Sequence, residues 1–142
     1  MATVKLSAYG STTSVLATEL NSLANGSLSS ASSAYDNSSN LYPLCAVEVV
    51  IATQGSARSA GATVTVFMSS SATGTTQDNT VESPIAMTFA LDAATTARTH
   101  TFHNVPLTPS SSSKFTLLNS TGQALAASAN TVKVVPYTDT VA

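Results

Sequence analysis

The chain has no tryptophan, one cysteine and very little charge. Asp, Glu, Lys and Arg make up 8% of its 142 residues, against about 25% in an ordinary globular domain. Each shortage excludes something. With five Lys and Arg in all and a net charge of −2, there is no basic face of the kind that nucleic-acid binding requires. Lys5, Arg58, Arg98, Lys114 and Lys133 are scattered along the chain. A lone Cys45 allows neither an intrachain disulfide nor a thiolate metal cluster. It lies in an apolar run, where a buried thiol is inert. No window approaches the roughly 20 apolar residues of a membrane span, so no membrane partner is expected. Met1 to Ser7 has neither a basic start nor an apolar stretch of secretory type, which reads as a product made in the cytoplasm.

The chemistry-bearing residues are equally thin. His100 and His103 are the only histidines, and at a spacing of three on a strand they point to opposite faces. They therefore do not form a metal pair, and a third ligand is lacking. Serines are abundant, but no Gly-x-Ser-x-Gly elbow presents one as a nucleophile. The acidic residues Glu19, Asp36, Glu48, Asp78, Glu82, Asp92 and Asp139 occur singly. A glycosidase could draw a pair of carboxylates from separate strands, but it would lack tryptophan platforms. A carbohydrate-binding module meets the same objection, with Tyr9, Tyr35, Tyr42 and Tyr137 as its tyrosine candidates. Asp36 to Asn40 offers oxygen ligands but too little acidic charge for a tight calcium loop, and reads as a turn. Asn25-Gly26-Ser27, Asn37-Ser38-Ser39 and Asn119-Ser120-Thr121 fit the glycosylation sequon and also read as turns. No phosphate loop or dinucleotide fingerprint occurs. No catalytic, cofactor-binding or metal-binding residue is assigned, and no enzyme is expected.

What the chain does contain is a core and hydroxyls. Apolar residues make up 43%, mean hydropathy is +0.20, and Ser and Thr supply about a third of the residues. This is too apolar for disorder, and residues 1–142 suit a single domain. The apolar residues repeat with a period of two, the pattern of strands with one buried face. Cys45, Val47, Val49 and Ile51 share one face; Val64, Val66 and Met68 another; Ile85, Met87, Phe89 and Leu91 a third. Arg98 to Val105, Lys114 to Leu118 and Thr131 to Tyr137 are strand-like through their β-branched and aromatic residues. Asp36 to Asn40, Ser69 to Asn79, Pro106 to Ser113 and Asn119 to Gly122 read as loops. These features predict an all-β fold, an antiparallel β-sandwich of jelly-roll type, with at most one short helix near the N-terminus. The helix candidate is Ser14 to Ala24, where Leu16, Leu20 and Leu23 fall at helical spacing. Its rival is a strand through Ser27 to Tyr35. Residues 1–12 read either as an edge strand or as an arm reaching a neighbour. Val4, Leu6 and Tyr9 are the candidate contact residues to a capsid or a second subunit.

Three stretches together carry a resemblance: Leu20 to Gly26 leading to Tyr35-Asp36-Asn37, then His103 to Leu107, then Leu118 to Leu125 followed by Ala129 to Tyr137. Over Leu16 to Tyr137 the chain resembles a group of small virion proteins of tailed bacteriophages, on motifs that are turns and strands. The resemblance implies a capsid decoration, or cement, protein on the outer surface of the virion head. Its partners would be the major capsid protein and further copies of itself, as a homodimer or homotrimer. A tail, connector or head-fibre component is an alternative, as is a glycan- or receptor-binding β-sandwich module. The composition agrees with a contact role, because a surface of hydroxyls and methyls approaches other protein at little ionic desolvation cost.

Overall fold

The computed structural model describes residues 4–71, 85–107 and 112–141. Among them are nine strands: β1 (Val4–Tyr9), β2 (Thr13–Leu16), β3 (Tyr35–Asp36), β4 (Leu44–Ile51), β5 (Thr63–Ser71), β6 (Ile85–Ala90), β7 (Arg98–Pro106), β8 (Ser112–Ser120) and β9 (Thr131–Val141). They form two antiparallel sheets. One runs β1-β9-β4-β7, with β2 also on β9, and the other runs β3-β8-β5-β6. The pairing is nested: β5 with β6, β4 with β7, β3 with β8, β2 with β9. The fold is the predicted all-β sandwich.

Its core follows from the period-two pattern. Cys45, Val47, Val49 and Ile51 of β4 are fully buried, as are Val64 and Val66 of β5, Phe115 and Leu117 of β8, and Val132 and Val134 of β9. β6 alternates cleanly, burying Met87 and Phe89 while Ala86, Thr88 and Ala90 stay exposed. At roughly 1.5–3 kcal/mol per fully buried Val, Leu or Phe, this shared interior is the main source of stability.

The predicted loops shift at their ends. Ser69 to Ser71 still belong to β5, Pro106 closes β7 and Ser112 opens β8. Positions 72–79 and 108–111 of those loops lie outside the described residues.

The helix expected over Ser14 to Ala24 does not form. Ser14 to Leu16 end strand β2, and a single 3₁₀ turn covers Thr18–Leu20. Leu16 and Leu20 are nonetheless fully buried, with Leu23 partly so. Their spacing serves a strand end, a turn and a loop that each place one leucine in the core. The turn has no side-chain N-cap, and residues rich in Ser, Thr and Asn favour such local alternatives to a helix.

The rival strand through Ser27 to Tyr35 forms in a modified way. Leu28 bridges Leu118, and Tyr35 pairs with Ser113. Between them, Ser29 donates its N–H to the Leu117 carbonyl at 2.8 Å and accepts the Leu117 N–H on Oγ at 3.0 Å. Ser32 repeats this with Phe115, at 2.9 and 3.0 Å. Each serine hydroxyl replaces a backbone carbonyl as acceptor, so three residues can oppose two on β8. The Ser-rich composition is therefore structural here.

β1 and β2 follow one another along the same edge of β9. The register slips between Leu6 and Ala8 and again between Ser14 and Leu16. Such bulges twist an edge strand away from further pairing.

Candidate functional site

The chain's four tyrosines, far apart in sequence, converge where β1 and β2 meet β3. Two adjoining cavities of about 470 and 390 Å³ open there. The larger is lined by residues of β2, the 3₁₀ turn and the Ser33–Asp36 segment, among them Glu19, Tyr35 and Asp36. The smaller is lined by Tyr9, Gly10, Ser11, Asn40, Tyr42 and Pro136, among others. Thr13, Tyr35 and Asp36 line both, so the two form one continuous cleft. Its volumes fall in the roughly 300–1,000 Å³ range of ligand sites.

Local sequence fixes each wall. Asn37 is buried and clamps Tyr42 from both sides, donating from Nδ2 to the Tyr42 carbonyl at 2.7 Å and accepting the Tyr42 N–H at 3.0 Å. Gly10 lets the edge strand pass close by. A Cβ there would stand 2.6 Å from Pro136 Cγ and 3.1 Å from the Tyr42 ring. Tyr9 is 59% exposed and lies against Tyr137, with ring centroids 6.0 Å apart.

Tyr137 itself is buried and closes a bulge. The β4–β7 register slips between Cys45 and Val47, and Asn104 adopts φ +57°. The Asn104 N–H donates to Tyr137 Oη at 2.8 Å, and the hydroxyl donates to Asn104 Oδ1 at 2.6 Å.

Among the described residues the cleft lining contains carboxylates and hydroxyls but no Lys, Arg or His. Asp36 accepts the Ser38 N–H at 2.8 Å, and hydrogen bonds from Ser38 lower its pKa below the ordinary carboxylate value. Burial raises the pKa of Tyr35, with smaller contributions from Cys45 and Tyr42. The Asp36–Asn40 stretch is a turn, closed by Leu41 N–H donating to the Asn37 carbonyl at 2.9 Å. No group of three His, Cys, Asp or Glu that could hold a metal occurs among the described residues.

At the end of the sandwich where the 52–62, 91–97 and 119–126 loops meet, polar groups are instead saturated. The Arg58 side chain is fully buried. It donates from Nε to Gln54 Oε1 at 2.6 Å, from Nη1 to Asp92 Oδ1 at 3.1 Å and from Nη2 to the Thr96 carbonyl at 2.6 Å. Gln54 Nε2 reaches Thr121 Oγ1 and the Ala124 carbonyl at 3.1 and 3.0 Å. Arg98 also pairs with Asp92, and this contact is the main reason the Asp92 pKa is lowered. Burial lowers the Arg58 pKa, while the charge of Asp92 opposes that shift. Gly122 completes the junction at φ +84°, where a Cβ would fall 1.9 Å from Ser59 Oγ. Each of the three side-chain nitrogens of Arg58 donates to the protein itself, so the cluster ties loops together.

The other sequence candidates fall into structural roles. His100 is exposed at the β7 edge, stacked on Phe89 at 4.8 Å and edge-on to Phe102 at 4.7 Å. Burial pushes the Cys45 thiol up to about 12, which keeps it protonated and unreactive. Of the sequon asparagines, Asn37 and Asn119 are buried and Asn25 is exposed. Asn119 donates to the Leu23 and Gln123 carbonyls at 2.8 Å and accepts from Thr121. Val4, Leu6 and Tyr9 all lie on β1, an edge strand paired with β9 of the same chain; the side chains of Val4 and Leu6 lie outside the described residues. Asp78 and Glu82 also lie outside them. Among the described residues no helix is long and apolar enough to cross a membrane.

Sequence reading missed the cleft because its walls come from positions 9–19, 33–42 and 136. The tyrosines were visible as residues, but only the pairing of β1 with β9 and β3 with β8 brings them together. No family model matches the chain, and neither a curated protein nor a solved structure matches it.

Proposed function

We propose that the chain is a structural contact protein of a tailed-phage virion, a decoration protein bound to the outside of the head as a homodimer or homotrimer. What supports this most is the outward face of the five-stranded sheet. Leu44, Ala46, Glu48 and Val50 alternate with the core residues of β4 and so point away from the interior. Register places Tyr137, Val135, Lys133 and Thr131 of β9 beside them, with Thr101 and Thr99 of β7 flanking Glu48 and Val50. The result is a sheet face of methyls and hydroxyls on which Glu48 and Lys133 are opposite neighbours, while Ala46 and Tyr137 in the same rows are buried and add no exposed surface. Such a face suits broad protein contact with little ionic desolvation. Individual contacts can be weak, because a symmetric oligomer engages several capsid subunits at once.

The nested strand pairing also supports reading the sandwich as a jelly roll. The saturated Arg58 cluster and the inert Cys45 support a role without catalysis. Counting copies per purified particle by quantitative mass spectrometry tests the reading. Decoration requires hundreds of copies, near the number of major capsid subunits. Three to a dozen copies would place the protein in the tail or connector instead, and absence from the particle would overturn the proposal.

A further inference from the structure

We propose that the tyrosine-lined cleft between β1–β2 and β3 binds a neutral oligosaccharide. This goes beyond the capsid role and does not depend on it. The lining determines the ligand class. Among the described residues the lining holds Glu19 and Asp36 and no Lys, Arg or His, which gives the cleft a negative field that disfavours phosphates, nucleic acid and acidic sugars. The lining is also too hydroxyl-rich for a purely apolar ligand. Thr13, Ser14, Ser11 and Asn40 all contribute polar groups.

What fits aromatic rings, carboxylate acceptors and hydroxyls together is a neutral pyranose. Its C–H face packs on a tyrosine ring while adjacent hydroxyls donate to a carboxylate or an amide oxygen. Two connected cavities along one edge suit a short chain of sugar rings better than a single small molecule. The walls are set in advance: the Asn37 clamp holds Tyr42, and the close passage of Gly10 holds the edge strand beside it. A preformed cleft loses less on binding than one that must order.

The chain supplies its own reporter, because it has no tryptophan and all four tyrosines stand at or beside this cleft. Full-length protein is titrated with hexaoses of glucose, galactose and N-acetylglucosamine, and with a hexamer of galacturonic acid as the anionic comparator, while tyrosine emission is followed. At least one neutral hexaose should give a saturable change with half-saturation at about 0.1–1 mM. The anionic hexamer should bind at least about tenfold more weakly. Asn40→Ala and Tyr9→Ser alter exposed residues of the cleft lining, and each should weaken binding about tenfold. Ser56→Ala, at an exposed loop residue outside the cleft lining, should leave it unchanged. The proposal is overturned if no neutral hexaose changes the emission up to about 10 mM, if galacturonate binds as tightly, or if both cleft variants bind like the parent chain. Emission that varies with protein concentration alone would assign the cleft to a second copy and overturn it equally.

Discussion

The loop end around Arg58 and the tyrosine edge are both polar, yet they are built on opposite principles. At the loop end a fully buried guanidinium spends its donors on Gln54, Asp92 and the Thr96 carbonyl. At the tyrosine edge the cleft stays open, and Tyr9 and Asn40 face solvent. A buried polar group without a partner costs about 1–3 kcal/mol, so saturation marks parts that hold the fold. Open polar groups beside aromatic rings mark parts free to meet something else. In a chain with so little charge, that distinction separates the two regions more sharply than any search for reactive residues.

The comparison can be tested by perturbing one region at a time. The largest effect is expected from Arg58→Leu, which strands Gln54 Oε1 and the Thr96 carbonyl. It should cost about 3 kcal/mol and lower Tm by roughly 10 °C, measured by calorimetry. A loss under about 1 kcal/mol would mean that the cluster is not the tie it resembles. Next comes Tyr137→Phe, which leaves the Asn104 N–H of the β7 bulge without its 2.8 Å acceptor. Urea denaturation should register a loss of about 1–2 kcal/mol. Tyr9→Ser at the exposed edge should change stability by no more than about 1 kcal/mol, since more than half of that side chain is already in solvent.

The smallest expected change in this series is a gain. Thr116 is fully buried and its Oγ1 has no hydrogen-bond partner. Thr116→Val keeps the shape and removes the orphaned hydroxyl, so it should be neutral or stabilise by up to about 1 kcal/mol. A clear loss in chemical denaturation would show that the hydroxyl has a partner when the protein is in solution.

Acid also probes the loop end. The folded-state pKa of Asp92 is lowered chiefly by its hydrogen bond with Arg98. Its contribution to stability is therefore present above the unfolded value of about 4 and is lost as pH falls through the folded value. Asp92→Asn should flatten the decline in Tm below about pH 4. An unchanged acid limb would remove Asp92 from the account of the loop end.

How far these regions were legible in the sequence depended on whether the chain obeyed a simple period. β4, β5 and β6 alternate every second residue, and their inward faces were readable directly from Cys45 to Ile51, Ala62 to Met68 and Ile85 to Leu91. The Ser14–Ala24 stretch misled because Leu16, Leu20 and Leu23 mimic a helical stripe while serving a strand end, a turn and a loop. Ser27 to Tyr35 was half legible. Its pairing on β8 depends on Ser29 and Ser32 hydroxyls replacing carbonyls, which no periodicity encodes. Arg58 gave no sign of burial, since its partners lie 4, 34 and 38 residues away. The cleft was invisible for the same reason.

The central claim is that this protein works by uncharged contact with a capsid surface. It is tested most directly by co-sedimenting the protein with phage heads from which it has been removed, at low salt and at roughly 1 M salt, where the Debye length falls to about 3 Å. The account predicts saturable binding that changes little between the two conditions. Binding at low salt that disappears at high salt, or no binding at all, would contradict it.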